Sequence, residues 1–283
     1  MADLRSVFGR YCSSHEQRGA ELPADLLQHF RFMERVKLSQ EFMAAQGNIA
    51  RSIRQTRCYY EMVRARAEQV DGSGRVCEIG FNGGHSAVVF LSAVDAAANA
   101  AAVGMLYEGF DLGQIYTRRA MEAINGSSRI SFRGLFPRRL RLTIGDSADT
   151  VPALLAQEPS IACDVLSLDG DHASRAIARD WAAFRSVVRP GSPILMDDVG
   201  RDFAARGDKS SISRGFFRHV LGTELELIGC VRLPGVADMN SRANRTMIAS
   251  DGFCVAMALA PGGASSRSLM SNTARPVTSK RRA

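Results

Sequence analysis

The chain has 283 residues, with 36 Lys or Arg against 29 Asp or Glu, a net charge of +7, 46% hydrophobic and 23% charged residues. These are the proportions of a soluble globular enzyme, and the length fits one α/β domain with an extension, or at most two small domains. They exclude a membrane protein: no stretch reaches the roughly 20 apolar residues of a bilayer crossing. The most lipophilic segment, Ser86 to Met105, is rich in alanine and is broken by Asp95 and Asn99.

The opening MADLRSVFGRYCSSHEQ has no apolar core and carries acids, so neither a secretory signal nor a transit peptide fits, and a cytoplasmic protein is expected. Residues 1–70 read as a helical extension. Leu26, Leu27, Phe30, Met33, Val36 and Leu38 recur near helical spacing, and Ile53, Tyr60, Met62 and Val63 lie along a second helix. Gln46-Gly47-Asn48 and Tyr59-Tyr60 are candidates for a lid over a substrate, although core or homodimer contacts account for the tyrosines almost as well. Asp71-Gly72-Ser73-Gly74 breaks the helical pattern.

From there to residue 261 short apolar runs alternate with helical stretches. The runs are Val76 to Ile79, Met105 to Phe110, Leu140 to Ile144, Asp164 to Leu168 and Pro193 to Met196. Helices are expected at Ala87 to Ala102, Gln114 to Ile124, Val151 to Gln157 and Ala173 to Val188. This alternation predicts βαβ units and a doubly wound, mostly parallel sheet. Leu225 to Leu233 and Gly252 to Leu259 complete seven strands, the last two as a candidate antiparallel pair. Residues 262–283 hold five of the seven net positive charges and no acid, and read as a disordered basic tail. The body is left near neutral, which argues against a nucleic-acid surface.

The six cysteines, Cys12, Cys58, Cys77, Cys163, Cys230 and Cys254, form no CxxC pair. Free thiols in a reducing compartment are expected, and a cysteine-held zinc is not.

Cys77-Glu78-Ile79-Gly80-Phe81-Asn82-Gly83-Gly84-His85-Ser86 joins the first strand to its helix. Glycines allow a tight turn and close approach of a ligand, and an acid at the strand tip suits a polar cofactor in the crevice at the strands' carboxyl ends. Asp111 ends the second strand, where a ribose-binding acid belongs, and Asp146 follows the third. Three successive acidic strand tips favour a ligand site over a folding requirement. Arg133, Arg138, Arg139 and Arg141 read as a solvated basic face, with an acidic acceptor as the alternative. His85 reads as a support for the loop.

EIGFNGGHSA, FDLG, FPRRLRLTIGDSADTVP, LDGDH and MDD, in that order over residues 75 to 200, resemble class I S-adenosylmethionine-dependent methyltransferases. The likeness is nearest to their O-methyltransferase-like branch, with Asn82 in the place of a glycine. It implies a Rossmann-like fold and S-adenosylmethionine as cofactor, with Glu78, Gly80 and Gly84 holding its amino-acid end. Asp111 would take the ribose hydroxyls, and Asp146 and Ser147 would lie beside the adenine. The strands ending in Asp169 and in Asp197-Asp198 are neighbours in that family's sheet. Metal-dependent members of the branch hold Mg²⁺ or Mn²⁺ at the matching places, so Asp169, Asp197 and Asp198 are the expected metal ligands. Such an ion would lower the pKa of an acceptor hydroxyl. His172 is a candidate base or orienting group beside Asp169, whereas Asp171 reads as a helix cap. A small-molecule methyl acceptor is the expected partner. The rivals are an NAD(P)-dependent oxidoreductase, which leaves Asp146 and Asp197-Asp198 without a role, and a non-catalytic cofactor-binding module.

Overall fold

The computed structural model describes residues 3–13, 21–38, 49, 52–70, 74–97, 105–113, 115–126, 134–171, 174–199, 220–233 and 252–261. The expectations for Gln46-Gly47-Asn48, Arg133, His172 and the tail 262–283 lie outside these residues.

Seven strands build one sheet: β1 (Arg75–Ile79), β2 (Leu106–Asp111), β3 (Leu140–Ile144), β4 (Val165–Leu168), β5 (Pro193–Val199), β6 (Leu225–Arg232) and β7 (Gly252–Ala258). Their order is β3-β2-β1-β4-β5-β7-β6. The first five pair in parallel, and β7 runs antiparallel between β5 and β6. The doubly wound, mostly parallel architecture expected from the alternation is thus present. The closing pair is antiparallel, with β7 inserted ahead of β6. The order reverses direction between β1 and β4, which opens a crevice beyond their carboxyl ends.

Strand residues alternate between the two faces with period two, and here the alternation separates two cores. Val76, Tyr107, Val165, Leu195 and Val255 face one core. Cys77, Phe110, Leu166, Leu168, Ile194 and Met196 face the other. The first is shared with the N-terminal helices α1 (Leu4–Phe8), α2 (Ala24–Leu38) and α3 (Ile53–Ala67), and with α4 (His85–Asp95). A π-helical turn, Gly9–Ser13, continues α1. The N-terminal extension therefore packs into the main core. Tyr59 meets Phe90 and Phe253 there, ring to ring, the core contacts that are its alternative to a lid, and it also lines the cleft at the carboxyl edge of the sheet. The second core lies under α6 (Ser147–Gln157) and α7 (Ser174–Phe184). The remaining helix, α5 (Ile115–Asn125), packs against α2 and β3. No described helix is long and apolar enough to cross a membrane.

The expectation of free thiols is overturned. Cys12–Cys58, Cys77–Cys163 and Cys230–Cys254 are disulfides, and no free cysteine is left. The argument for a reducing compartment falls with it. Partners 46, 86 and 24 residues apart meet only because the fold brings together the π turn and α3, β1 and the start of β4, and β6 and β7. Spacing along the chain carries no trace of such connectivity.

Asp164 is fully buried at the amino end of β4 and accepts from Arg66 at 2.9 Å and from Arg189 at 3.0 Å. The basic stretch around Arg139 is not a free solvated face. Arg139 pairs with Asp95, and Arg141 pairs with Glu108 and Glu158.

Candidate functional site

Glu78, Asp169 and Asp197 line one cleft at the carboxyl edge of the sheet, and Gly80, Gly83, His85 and Ser86 line it with them. Register explains the convergence. Glu78 pairs with Gly109 on one side and Ser167 on the other, while Leu195 pairs with Ser167. Two residues on, the same face carries Gly80, Asp111, Asp169 and Asp197.

Gly80 has φ +95°, and a Cβ there would stand 1.9 Å from the carbonyl oxygen of Asp169. Only glycine lets the loop cross β4 this closely. Asn82, which stands in place of a glycine, has φ +48°. Asparagine is among the few residues that tolerate this left-handed region, so the substitution preserves the turn. Gly84, at φ +73°, opens α4 without a side-chain cap, and the first turn of that helix has no acid. Its amino-terminal N–H groups therefore favour an anion.

Glu78 is completely buried. Its Oε2 accepts from Ser86 Oγ at 2.8 Å and from the Tyr107 hydroxyl, while its Oε1 is buried without a partner. Burial pushes the carboxyl up to about 7, against the pull of hydrogen bonds from Tyr107, Ser86 and Ser167. An orphaned carboxylate oxygen beside a cleft is a strong acceptor lacking its donor.

Asp111 braces the loop. Its Oδ2 accepts from the Asn82 amide at 2.8 Å, and its Oδ1 accepts from the Gly113 amide at 2.8 Å and from Thr117 Oγ1 at 3.2 Å. Just beyond it, Leu112 and Ile144 are exposed at the tips of β2 and β3. Asp146 caps α6 by accepting from the Ala148 amide, and it pairs with Arg179 at 3.2 Å. Ser147 donates its hydroxyl to Asp180. His85 is buried and lies 3.0 Å from Glu34 of α2, which supports the reading of a loop brace.

Asp169 and Asp197 share the cleft, and Gln55 of α3 donates to Asp197 Oδ1 at 2.5 Å. Among the described residues no group of three His, Cys, Asp or Glu could hold a metal ion. Asp198 lies in β5, and its side chain is outside the described residues. Of the expected metal ligands, Asp169 and Asp197 thus meet at one cleft, with Asp197 already accepting from an amide. Sequence reasoning missed Gln55, Tyr107 and Ser167. Each is an uncharged side chain outside a motif, and only strand register and the approach of α3 bring them to the acids.

Residues 77–199 match the family described as methyltransferase domain. No curated protein sequence matches the chain. Among solved structures, it is similar to the O-methyltransferase TomG of Streptomyces achromogenes, a protein of tomaymycin synthesis in complex with SAM. The TM-score is 0.58 at 14% identity, covering 86% of this chain and 93% of that one. It is similar also to an O-methyltransferase of Bacillus cereus in complex with SAH, with a TM-score of 0.59 at 16% identity, covering 85% and 93%. At these identities the likeness shows the fold. The resemblance read from the sequence, to class I methyltransferases, holds in both domain match and fold.

Proposed function

We propose that the chain is a class I, S-adenosylmethionine-dependent methyltransferase that delivers its methyl group to a hydroxyl oxygen of a small-molecule acceptor. The observation that carries the reading is the orphaned Oε1 of Glu78, buried beside a glycine loop and an uncapped helix start. An α-amino acid presents an ammonium and a carboxylate together, and these two features answer one each. Gly80 and Gly84 keep the loop close enough for both contacts. Asp111 has carboxylate capacity left for ribose hydroxyls beyond its three loop bonds. Leu112 and Ile144 offer apolar surface for a purine between Asp111 and Asp146, with Ser147 beside it.

The donor supplies an electrophilic methyl on a sulfonium; the chain supplies position. In-line displacement rewards a fixed approach of the acceptor oxygen. Asp169 is the carboxylate assigned to orient that hydroxyl and accept its proton, with His172 three residues on as the second candidate base. The N-terminal helices, which carry Gln55 and Tyr59 to the cleft, are assigned as its cover.

Titration calorimetry with S-adenosylhomocysteine tests the reading: the wild type binds, and Asp111→Ala loses affinity at least about tenfold. Tight binding of NADH with no response to S-adenosylhomocysteine sinks it in favour of an oxidoreductase. Two carboxylates facing one cleft support a metal-assisted form, with Mg²⁺ or Mn²⁺ on Asp169, Asp197 and Asp198. In that form EDTA abolishes turnover and Asp169→Ala spares donor affinity, whereas turnover unchanged by EDTA removes the metal.

A further inference from the structure

Glu78 cannot present an oxygen to a ligand by burial alone. A carboxylate turns about its terminal torsion, and an acid at its burial takes up a proton as the pH falls through about 7. The structure holds it from one side. Ser86 and Tyr107 both donate to Oε2, and the nearby Ser167 hydroxyl also favours the ionised form. Of these donors the Tyr107 phenol is the most rigidly held. Its ring is fully buried, set edge-on to Phe81 of the glycine loop with centroids 6.0 Å apart, and stacked on Phe90 of α4 at 6.5 Å. Beneath it β2 carries Gly109, where a Cβ would stand 2.8 Å from Tyr107 Cε1. The missing side chain at Gly109 is the room that lets the ring lie across to Glu78.

We propose that Tyr107 is a positioning residue for donor binding: its phenol holds Glu78 by Oε2, so that Oε1 is presented as acceptor for the donor's ammonium group. This rests on the methyl-transfer reading above and names what that reading needs from β2. The phenol remains a donor throughout, because burial drives its own ionisation far above the ordinary range. The titratable groups around Glu78 are Tyr107 on β2, Asp197 on β5, Asp169 after β4, His85 on α4 and Tyr59 on α3. Asp197 opposes ionisation of Glu78, whereas the three hydroxyls favour it. Removing the phenolic hydroxyl therefore extends the protonated form of Glu78 to higher pH.

Calorimetric titration of the full chain with S-adenosylhomocysteine from pH 6 to 8.5 tests this. Wild-type affinity rises through about pH 7 and levels off. Tyr107→Phe binds about five- to tenfold more weakly below pH 7, as a one-unit upward shift requires, and the gap closes to less than about twofold at pH 8.5. Glu78→Gln gives a flat profile. Incorporating 3-fluorotyrosine at position 107, a stronger donor of nearly the same size, moves the profile in the opposite direction and serves should the phenylalanine variant fold poorly. A flat wild-type profile overturns the proposal, as does a Tyr107→Phe variant that is unchanged or equally weakened at every pH. A wild type that binds no S-adenosylhomocysteine at any pH sinks the methyl-transfer reading instead.

Discussion

Gly80→Ala is the sharpest test of how the site is built. A Cβ at this position would lie 1.9 Å from the Asp169 carbonyl oxygen, 2.5 Å from its carbon and 3.0 Å from the Gly170 nitrogen. All three are backbone atoms, so no side-chain rotation relieves the clash. Both flanks are pinned: the Gly80 amide donates to Phe110 at 2.9 Å, and the Asp169 amide donates to Ile79 at 2.9 Å. To reach an ordinary contact the two backbones must part by more than about 1 Å, and one of those bonds is lost. Forcing alanine to φ +95° costs about 1–3 kcal/mol, and overpacking adds about 1–3 kcal/mol. The expected destabilisation is about 3–5 kcal/mol, in the range reserved for a few named mechanisms.

Gly83→Ala is the internal control. That glycine lacks a positive φ, and its Cβ would meet only ring atoms of His85, at 3.2 and 3.4 Å. Its cost should stay under about 1 kcal/mol. Urea denaturation ranks the two variants, and titration with S-adenosylhomocysteine follows the site. Gly80→Ala should lose both stability and at least about tenfold in affinity, because the rim that carries Asp169 shifts with the loop. A Gly80→Ala protein as stable as Gly83→Ala would refute the close approach of the chain after β1 to the chain after β4, and with it the cleft.

Two further outcomes follow from the packing. Protein purified without reductant and then denatured should show no thiol reactive towards Ellman's reagent, because all six cysteines are paired; each bridge contributes about 3–5 kcal/mol by loop closure, so reduction lowers the melting temperature. Six reactive thiols would contradict the pairing. Asp164→Ala leaves Arg66 and Arg189 without their buried partner and should cost about 3–5 kcal/mol, while affinity for S-adenosylhomocysteine stays at the wild-type level, since Asp164 lies at the far end of β4 from Asp169. A variant of full stability would show that the buried pair contributes nothing net.

The sheet was legible because each strand is a short apolar run bounded by turns, and because the acids at its tips interrupt those runs at one end only. Glu78, Asp111, Asp146 and Asp169 could be placed at strand ends for that reason. What each acid bonds to was not legible. Asp146 turned out to cap a helix and pair with Arg179, and Asp111 to hold the Asn82 amide. The cap depends on local backbone conformation, which residue type constrains only weakly, and the Asn82 bond spans 29 positions of chain. Gln55 reaches Asp197 across 142 positions of chain, and the cysteine partners meet across as many as 86. Tertiary contacts of that span leave no periodicity behind. The expectation of free thiols failed where buried cysteine was read as a small hydrophobe, since burial does not distinguish a thiol from a disulfide.

The alternation that gathers the acids also sets where Asp197 lies. Consecutive residues of a regular strand face opposite ways, so Asp197, two beyond Leu195, belongs to the face of Glu78 and Ser167. The pairing of β5 with β7 shifts register between Met196 and Val199, which places a bulge at this pair of acids. A bulge re-aims a side chain while the flanking ladder persists. Asp197 can therefore meet Gln55 of α3 while Met196 and Val199 keep their partners Cys254 and Gly252. The tip of β5 thus answers to the helix above it as well as to the sheet, and the N-terminal segment is in this way built into the acid edge of the cleft.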